Sequence, residues 1–324
     1  MAAPNLPVLE TSHVYHAEAH IFGGHLEHPI EQPIETYGRA VLEHTRRESL
    51  ITQSVGATNI EGLISFKSGH TRVVGSQLNH KKDIYGNNHA GWVTLSTAVL
   101  EGFNVVDILT ADRAVAQVST EHPMEDGHVP RVTFLGSRFE NLRIGGYEVE
   151  VELDLEICGD KPEGDRSYLQ NDDFLDRAQR QLESAVDAED FPESLYKTYH
   201  EKITCITNLK QRAKSDGNGG ALGDTKVPCS LVKNITFPIP IPGVKTFGNV
   251  IYIPNFGTVS LAEVEVGVKP SHGDYPRRKS DPPPAPSSRD SNYFTLNMFE
   301  MQLGCPVVAK TNGPKVSGNG TTAP

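Results

Sequence analysis

Cysteine, tryptophan and methionine are scarce here, at 4, 1 and 4 of 324 residues. The cysteines (Cys158, Cys205, Cys229 and Cys305) lie far apart, and no Cys-x-x-Cys pair occurs. That excludes a disulfide scaffold, a zinc ribbon and a thioredoxin-like redox motif. An even count permits two disulfides, but four free thiols in a reducing compartment is the simpler reading. No apolar run approaches the roughly 18–20 residues that a spanning helix needs, so no membrane insertion is expected. Met1-Ala-Ala-Pro-Asn-Leu-Pro shows no basic, apolar leader, so a cytoplasmic location is expected, with non-classical export or surface association as the alternatives.

Positive charge is also in short supply. Lys and Arg number 30 against 41 Asp and Glu, a net charge of −11. Nucleic acid and anionic membrane surfaces attract basic proteins, so neither is expected as the main partner. Local catalytic signatures are missing: there is no Gly-x-Ser-x-Gly, His-Glu-x-x-His, phosphate-binding glycine loop, dinucleotide fingerprint or EF-hand loop. A constellation assembled across strands would leave no such trace, yet the balance leans away from an enzyme.

What is present is alternation. From Glu148 to Ile157, Val149, Val151, Leu153, Leu155 and Ile157 take one face of an extended chain and five carboxylates take the other. Those carboxylates are too widely spaced along one strand to share a calcium ion unaided. Thr258–Val268 sets Val264, Val266 and Val268 against Glu263 and Glu265. In Phe294–Leu303, Asn297, Phe299, Met301 and Leu303 alternate with Leu296, Met298, Glu300 and Gln302. A weak repeat of about 40 residues links Ile60-Glu-Gly-Leu63, Leu100-Glu-Gly-Phe103 and Phe139-Glu-Asn-Leu142, as a stacked strand–turn–strand unit would. The period then changes. Leu175, Ala178, Leu182 and Ala185 share one helical face, and Leu195, Tyr199, Ile206 and Leu209 another. Asn171 or Asp172 can cap the first helix; Phe191-Pro192 separates the two.

The expected fold is mainly β: an antiparallel sandwich or barrel-like sheets with an inserted α-helical hairpin. Residues 1–160 form an N-terminal β region carrying the repeat, 161–225 the helical insert, and 226–310 a β region completing the same fold. Within the last, 270–291 is a Pro-rich loop, and 311–324 reads as an extended tail.

Phe247-Gly-Asn-Val-Ile-Tyr-Ile-Pro-Asn-Phe-Gly-Thr-Val-Ser-Leu-Ala-Glu263 and Leu296-Asn-Met-Phe-Glu-Met-Gln-Leu-Gly-Cys-Pro306 carry a resemblance, as do Gly318-Asn-Gly-Thr321, Tyr15-His-Ala-Glu-Ala-His20 and Leu109-Thr-Ala-Asp-Arg113. They resemble a group of uncharacterised bacterial β-rich proteins and, more distantly, the choice-of-anchor surface proteins. The resemblance spans most of the chain apart from the helical insert. It implies a β-rich bacterial protein and brings no activity to any residue.

Among 13 histidines, five fall in the first 28 residues. A strand over Val14–Phe22 would bury Tyr15, Ala17, Ala19 and Ile21 and set His16, Glu18 and His20 side by side opposite them. Two imidazoles and a carboxylate so placed are candidate ligands for a transition metal ion, the one cofactor considered, given a further ligand from a neighbour. Exposed or hydrogen-bonded histidines on a half-buried strand are the commoner outcome. His80, His89, His122 and His128 read as turn chemistry. Cys229 reads as a buried structural thiol. Three functions follow as expectations. The first is a non-catalytic structural protein assembling with itself, as a homo-oligomer or polymer, through strand edges and extended arms. The second is a metal-binding protein or metalloenzyme using His16, Glu18 and His20. The third is a ligand-binding sandwich with the helical hairpin as lid, best served by a deep apolar pocket beneath 172–215.

Overall fold

A computed structural model describes residues 12–28, 31–82, 88–123, 129–164, 166–215, 222, 224–269, 291–304 and 308–323. The Pro-rich stretch from 270 to 290, Cys305, His128 and Gly217 lie outside these residues.

The chain opens with β1 (Ser12–His20), β2 (Phe22–His28), β3 (Gln32–Tyr37), β4 (Ala40–Thr45), β5 (Ser49–Val55), β6 (Thr58–Ile60) and β7 (Ile64–Phe66). Three long strands follow: β8 (Ser68–Lys82), β9 (Asn88–Val105) and β10 (Leu109–Pro123). Short strands come next: β11 (Arg131–Thr133), β12 (Arg138–Glu140), β13 (Arg143–Ile144), β14 (Tyr147–Glu148) and β15 (Glu150–Leu153). Helices α1 (Asp172–Val186) and α2 (Glu193–Ser215) interrupt the β structure. It resumes with β16 (Thr225–Ser230), β17 (Val232–Thr236), β18 (Lys245–Phe247), β19 (Val250–Ile253) and β20 (Gly257–Lys269). The last strands are β21 (Ser291–Leu303), β22 (Val308–Asn312) and β23 (Lys315–Ala323).

Eleven strands form one antiparallel sheet and ten form a second, with β15 and β17 a separate pair. In the first sheet β20 pairs with β21 along its whole length, β21 with β22 and β23, and those with β2 and β1. In the second, β8, β9 and β10 form the centre. The fold is a mainly β sandwich, not a closed barrel. One hydrophobic cluster runs through both sheets and the helices, so the segments before and after the insert share a core.

Small residues line the middle of that core. Ala17, Ala19 and Gly318 in one sheet and Ala98, Ala114 and Ala116 in the other are all buried. A Cβ on Gly318 would lie 3.2 Å from Val118 and one on Gly75 2.7 Å from the Tyr15 ring, so side-chain size sets how closely the layers approach. Towards one end aromatics take over: Phe299 lies 5.3 Å from Phe103 and 5.1 Å from Phe139 between ring centroids.

The tail is not a loose arm, contrary to the composition reading. β22 and β23 sit inside the first sheet, with Ala17 opposite Gly318 and Phe294 opposite it on the other side. Two further expectations change. The strand over Glu148–Ile157 ends at Leu153, although Val149 and Ile157 are buried and Glu148, Glu150, Glu152 and Glu156 exposed. In β21 the inward side changes parity: Phe294 and Leu296 face the core first, then Phe299, Met301 and Leu303. Neighbouring strands break at the same level, at Ala262 (φ 46°), at Gly313-Pro314 and at Ile21. A shared crease therefore reverses the alternation across the sheet.

The repeat marks backbone geometry. Gly62, Gly102 and Asn141 hold positive φ at 69°, 62° and 51°, a conformation open to Gly and tolerated by Asn. In the first and third copies this is a turn between strands; in the second it is a kink within β9. The helical hairpin follows expectation. Asn171 caps α1 by accepting from the N–H groups of Asp173 and Phe174, and Leu175, Ala178, Leu182 and Ala185 are buried.

Candidate functional site

β1 carries His16, Glu18 and His20 on its outer side, half-buried, while Tyr15, Ala17 and Ala19 are buried opposite. The strand brings the three side by side as its period requires, but Glu18 and His20 are engaged by residues of other strands and loops. Arg39 Nε donates to Glu18 Oε1 at 2.7 Å and Nη2 to Oε2 at 3.4 Å; this hydrogen bonding holds the carboxyl below its usual pKa. His20 Nε2 lies 3.2 Å from Asn312 Oδ1, and burial lowers its pKa. Among the described residues, no three His, Cys, Asp or Glu side chains gather closely enough to hold a metal ion.

A different imidazole cluster is buried between the sheets. His13 stacks on Trp92 at 5.3 Å, meets Tyr15 edge-on at 4.8 Å, and lies 4.6 Å from the His122 ring. His13 is 2% exposed, neither ring nitrogen has a hydrogen-bond partner, and burial pushes its pKa down to about 4. The sequence does contain a signal for it: His13 shares parity with Tyr15, Ala17 and Ala19, the side that alternation buries. His122, expected in a polar loop, is an inward residue of β10 opposite Trp92.

Two of the thiols are buried in the core, Cys158 and Cys229. Cys158, Cys205 and Cys229 are free, and burial pushes Cys158 up to about 12 and Cys229 well above its ordinary value.

Under the hairpin lies a cleft of about 620 Å³, between α1 and α2 on one side and β16, β19, β20 and β21 on the other. Charges, amides and hydroxyls are prominent in its walls, unlike the deep apolar pocket that a lidded sandwich suggests. Lys202 Nζ on α2 reaches across to Glu263 at 3.2 Å, tying helix to sheet. On the floor, Lys310 Nζ lies 3.2 Å from Glu300. From α1, Gln181 Nε2 donates to the Ser230 carbonyl at 2.9 Å, and its Oε1 accepts from the Ser230 N–H at 3.0 Å.

That amide occupies the free edge of β16, which also contains Pro228. Among the described residues, other edges are guarded by length or sequence: β18 and β6 have three residues, β14 two, β3 holds Pro33 and Glu35, and β4, paired only with β1, carries Glu43. β5 differs. It pairs only with β8 among the described residues and reads Ser-Leu-Ile-Thr-Gln-Ser-Val, seven residues without charge, Pro or Gly. Leu50 is 59% exposed there, and Thr52, Gln53 and Ser54 are exposed.

These features define a two-sheet antiparallel β protein with a helical roof over a polar cleft. A family model described as a domain of unknown function (DUF8256) matches residues 13–267, and the chain belongs to that family. No curated protein matches it, and no solved structure does. Among the described residues, no helix is long and apolar enough to cross a membrane.

Proposed function

We propose that the chain is a non-catalytic structural protein that assembles with copies of itself, edge to edge, through β5. The unguarded edge of β5 is the observation that carries this reading. A strand edge presents a row of main-chain donors and acceptors, and natural proteins ordinarily blunt it with charge, Pro, bulges or shortness. β5 has none of these. Two copies meeting antiparallel about a two-fold axis bring no like charges together and close the contact on itself. The arm-exchange part of the expected assembly finds no support, because β23 is held between β1 and β21 of its own chain.

Sedimentation velocity over about a hundredfold concentration range tests the assembly. The expected result is a larger species whose share rises with concentration. Thr52→Lys, on the exposed side of β5, sets two like charges beside the axis and returns the protein to monomer with unchanged circular dichroism. A wild-type chain that stays monomeric at the highest concentration defeats the proposal, as does assembly indifferent to Thr52→Lys.

A further inference from the structure

The cleft beneath the hairpin has a charge asymmetry opposite to that of the protein as a whole. Five cations line it against three carboxylates, and two of those carboxylates are ion-paired, Glu263 with Lys202 and Glu300 with Lys310; Asp154 accepts from the neutral Glu156 N–H at 3.0 Å and keeps its charge. Two guanidinium groups on α1 are different. Arg177 Nε and Nη2 donate to the carbonyls of Ile157 and Cys158, at 2.9 and 3.0 Å. Arg180 Nε donates to the carbonyl of Asp176 at 3.2 Å. Neutral carbonyls orient these groups without cancelling their charge, and neither Arg forms an ion pair with a described carboxylate. Both line the cleft, one turn apart on the same helix face. The sheet side supplies neutral hydrogen-bonding groups: Thr258, Ser260 and Gln302.

We infer that this cleft is a binding site for a small organic anion, its carboxylate or phosphate group set against Arg177 and Arg180. A guanidinium retains donors after bonding one or two carbonyls, and its planar fork suits an oxyanion better than a point charge does. The volume of about 620 Å³ falls in the range of small-molecule sites. Thr258, Ser260 and Gln302 would meet the polar body of such a ligand. Crossing from helix to sheet, the Lys202–Glu263 pair keeps the two walls together whether or not the site is filled.

Isothermal titration calorimetry on the full chain tests this with three probes: citrate, inorganic phosphate and the uncharged sugar maltose. Citrate or phosphate is expected to bind, more weakly as sodium chloride is added, and maltose is not. Arg180→Gln removes an exposed guanidinium that bonds only its own helix, and should weaken binding about tenfold or more. Ser260→Phe, filling the cleft without changing charge, should abolish binding while the circular dichroism spectrum is retained. Silence from both anions overturns the inference. So does binding of maltose as strong as that of the anions, or anion binding indifferent to both substitutions.

Discussion

Gln181 binds both main-chain groups of Ser230, taking the place that a neighbouring strand would hold on the edge of β16. Through that one residue the helical insert protects the β structure it interrupts. Ser230 is 5% exposed, so replacing Gln181 by Ala leaves a buried N–H and a buried carbonyl without these partners. Such a loss costs about 1–3 kcal/mol. Urea unfolding should show a lower midpoint at an unchanged slope. A Gln181→Ala midpoint equal to wild type would mean that water replaces the amide at no cost.

Gly75 faces the Tyr15 ring across the sandwich, and a Cβ there would sit 2.7 Å from Tyr15 Cγ. Gly75→Ala therefore pushes the two sheets apart or turns Tyr15 off its rotamer, at about 1–3 kcal/mol. Gly56 is the matched control, because nothing lies within 4 Å of a Cβ built on it and its φ is not positive. Gly56→Ala should be neutral or slightly stabilising, since Ala narrows the unfolded ensemble. Thermal unfolding of both variants separates the two effects; equal shifts would contradict close packing at Gly75.

Local periodicity made much of this fold legible. The buried side of β1, the inward valines of β20, the apolar face of α1 and the Asn171 cap all follow from spacing and side-chain chemistry. What it could not reveal depends on remote partners. Gly318-Asn-Gly-Thr reads as a mobile tail because its residues are poor strand formers, yet Gly318 is small because Val118 and Thr120 press on it from the opposite sheet. The crease at Ala262 reverses alternation within one strand, and it is visible only when β21 and β22 lie beside it. The cleft draws its walls from segments far apart in sequence, so Arg177 and Arg180 carried no local sign of a site. His16, Glu18 and His20 share one side of β1, as the period implies, but Arg39 and Asn312, which engage Glu18 and His20, come from distant segments.

Asn171 accepts from two main-chain N–H groups at the start of α1, with acidic Asp172 and Asp173 in the first turn. Asn171→Ala should cost about 1 kcal/mol. Because α1 carries Gln181 as well as the buried face, fraying at its start should increase hydrogen exchange in residues 172–175 before it affects β9 or β10. Uniform acceleration across the molecule would instead show that helix and sandwich open as one unit.

His13 sets the acid limit of the sandwich. Unfolded, its imidazole titrates near 6.5; in the fold, burial against Trp92, Tyr15 and His122 pushes it down to about 4. The folded state thus disfavours the protonated ring. The stability held by neutral His13 is complete above 6.5 and is lost as pH falls from there towards 4. By pH 4 the loss is about 3 kcal/mol, and it grows little below that, where folded and unfolded chains both bind the proton. His13→Phe keeps an aromatic ring against Trp92 and removes the titration. Glu18, held below its usual pKa by Arg39, also costs stability in acid, but equally in both proteins. The informative quantity is therefore the difference in urea unfolding free energy between wild type and His13→Phe. That difference should shift by about 3 kcal/mol in favour of the Phe variant between pH 7 and pH 4. A difference independent of pH would mean that His13 meets the proton without penalty, and the buried-imidazole account would fail.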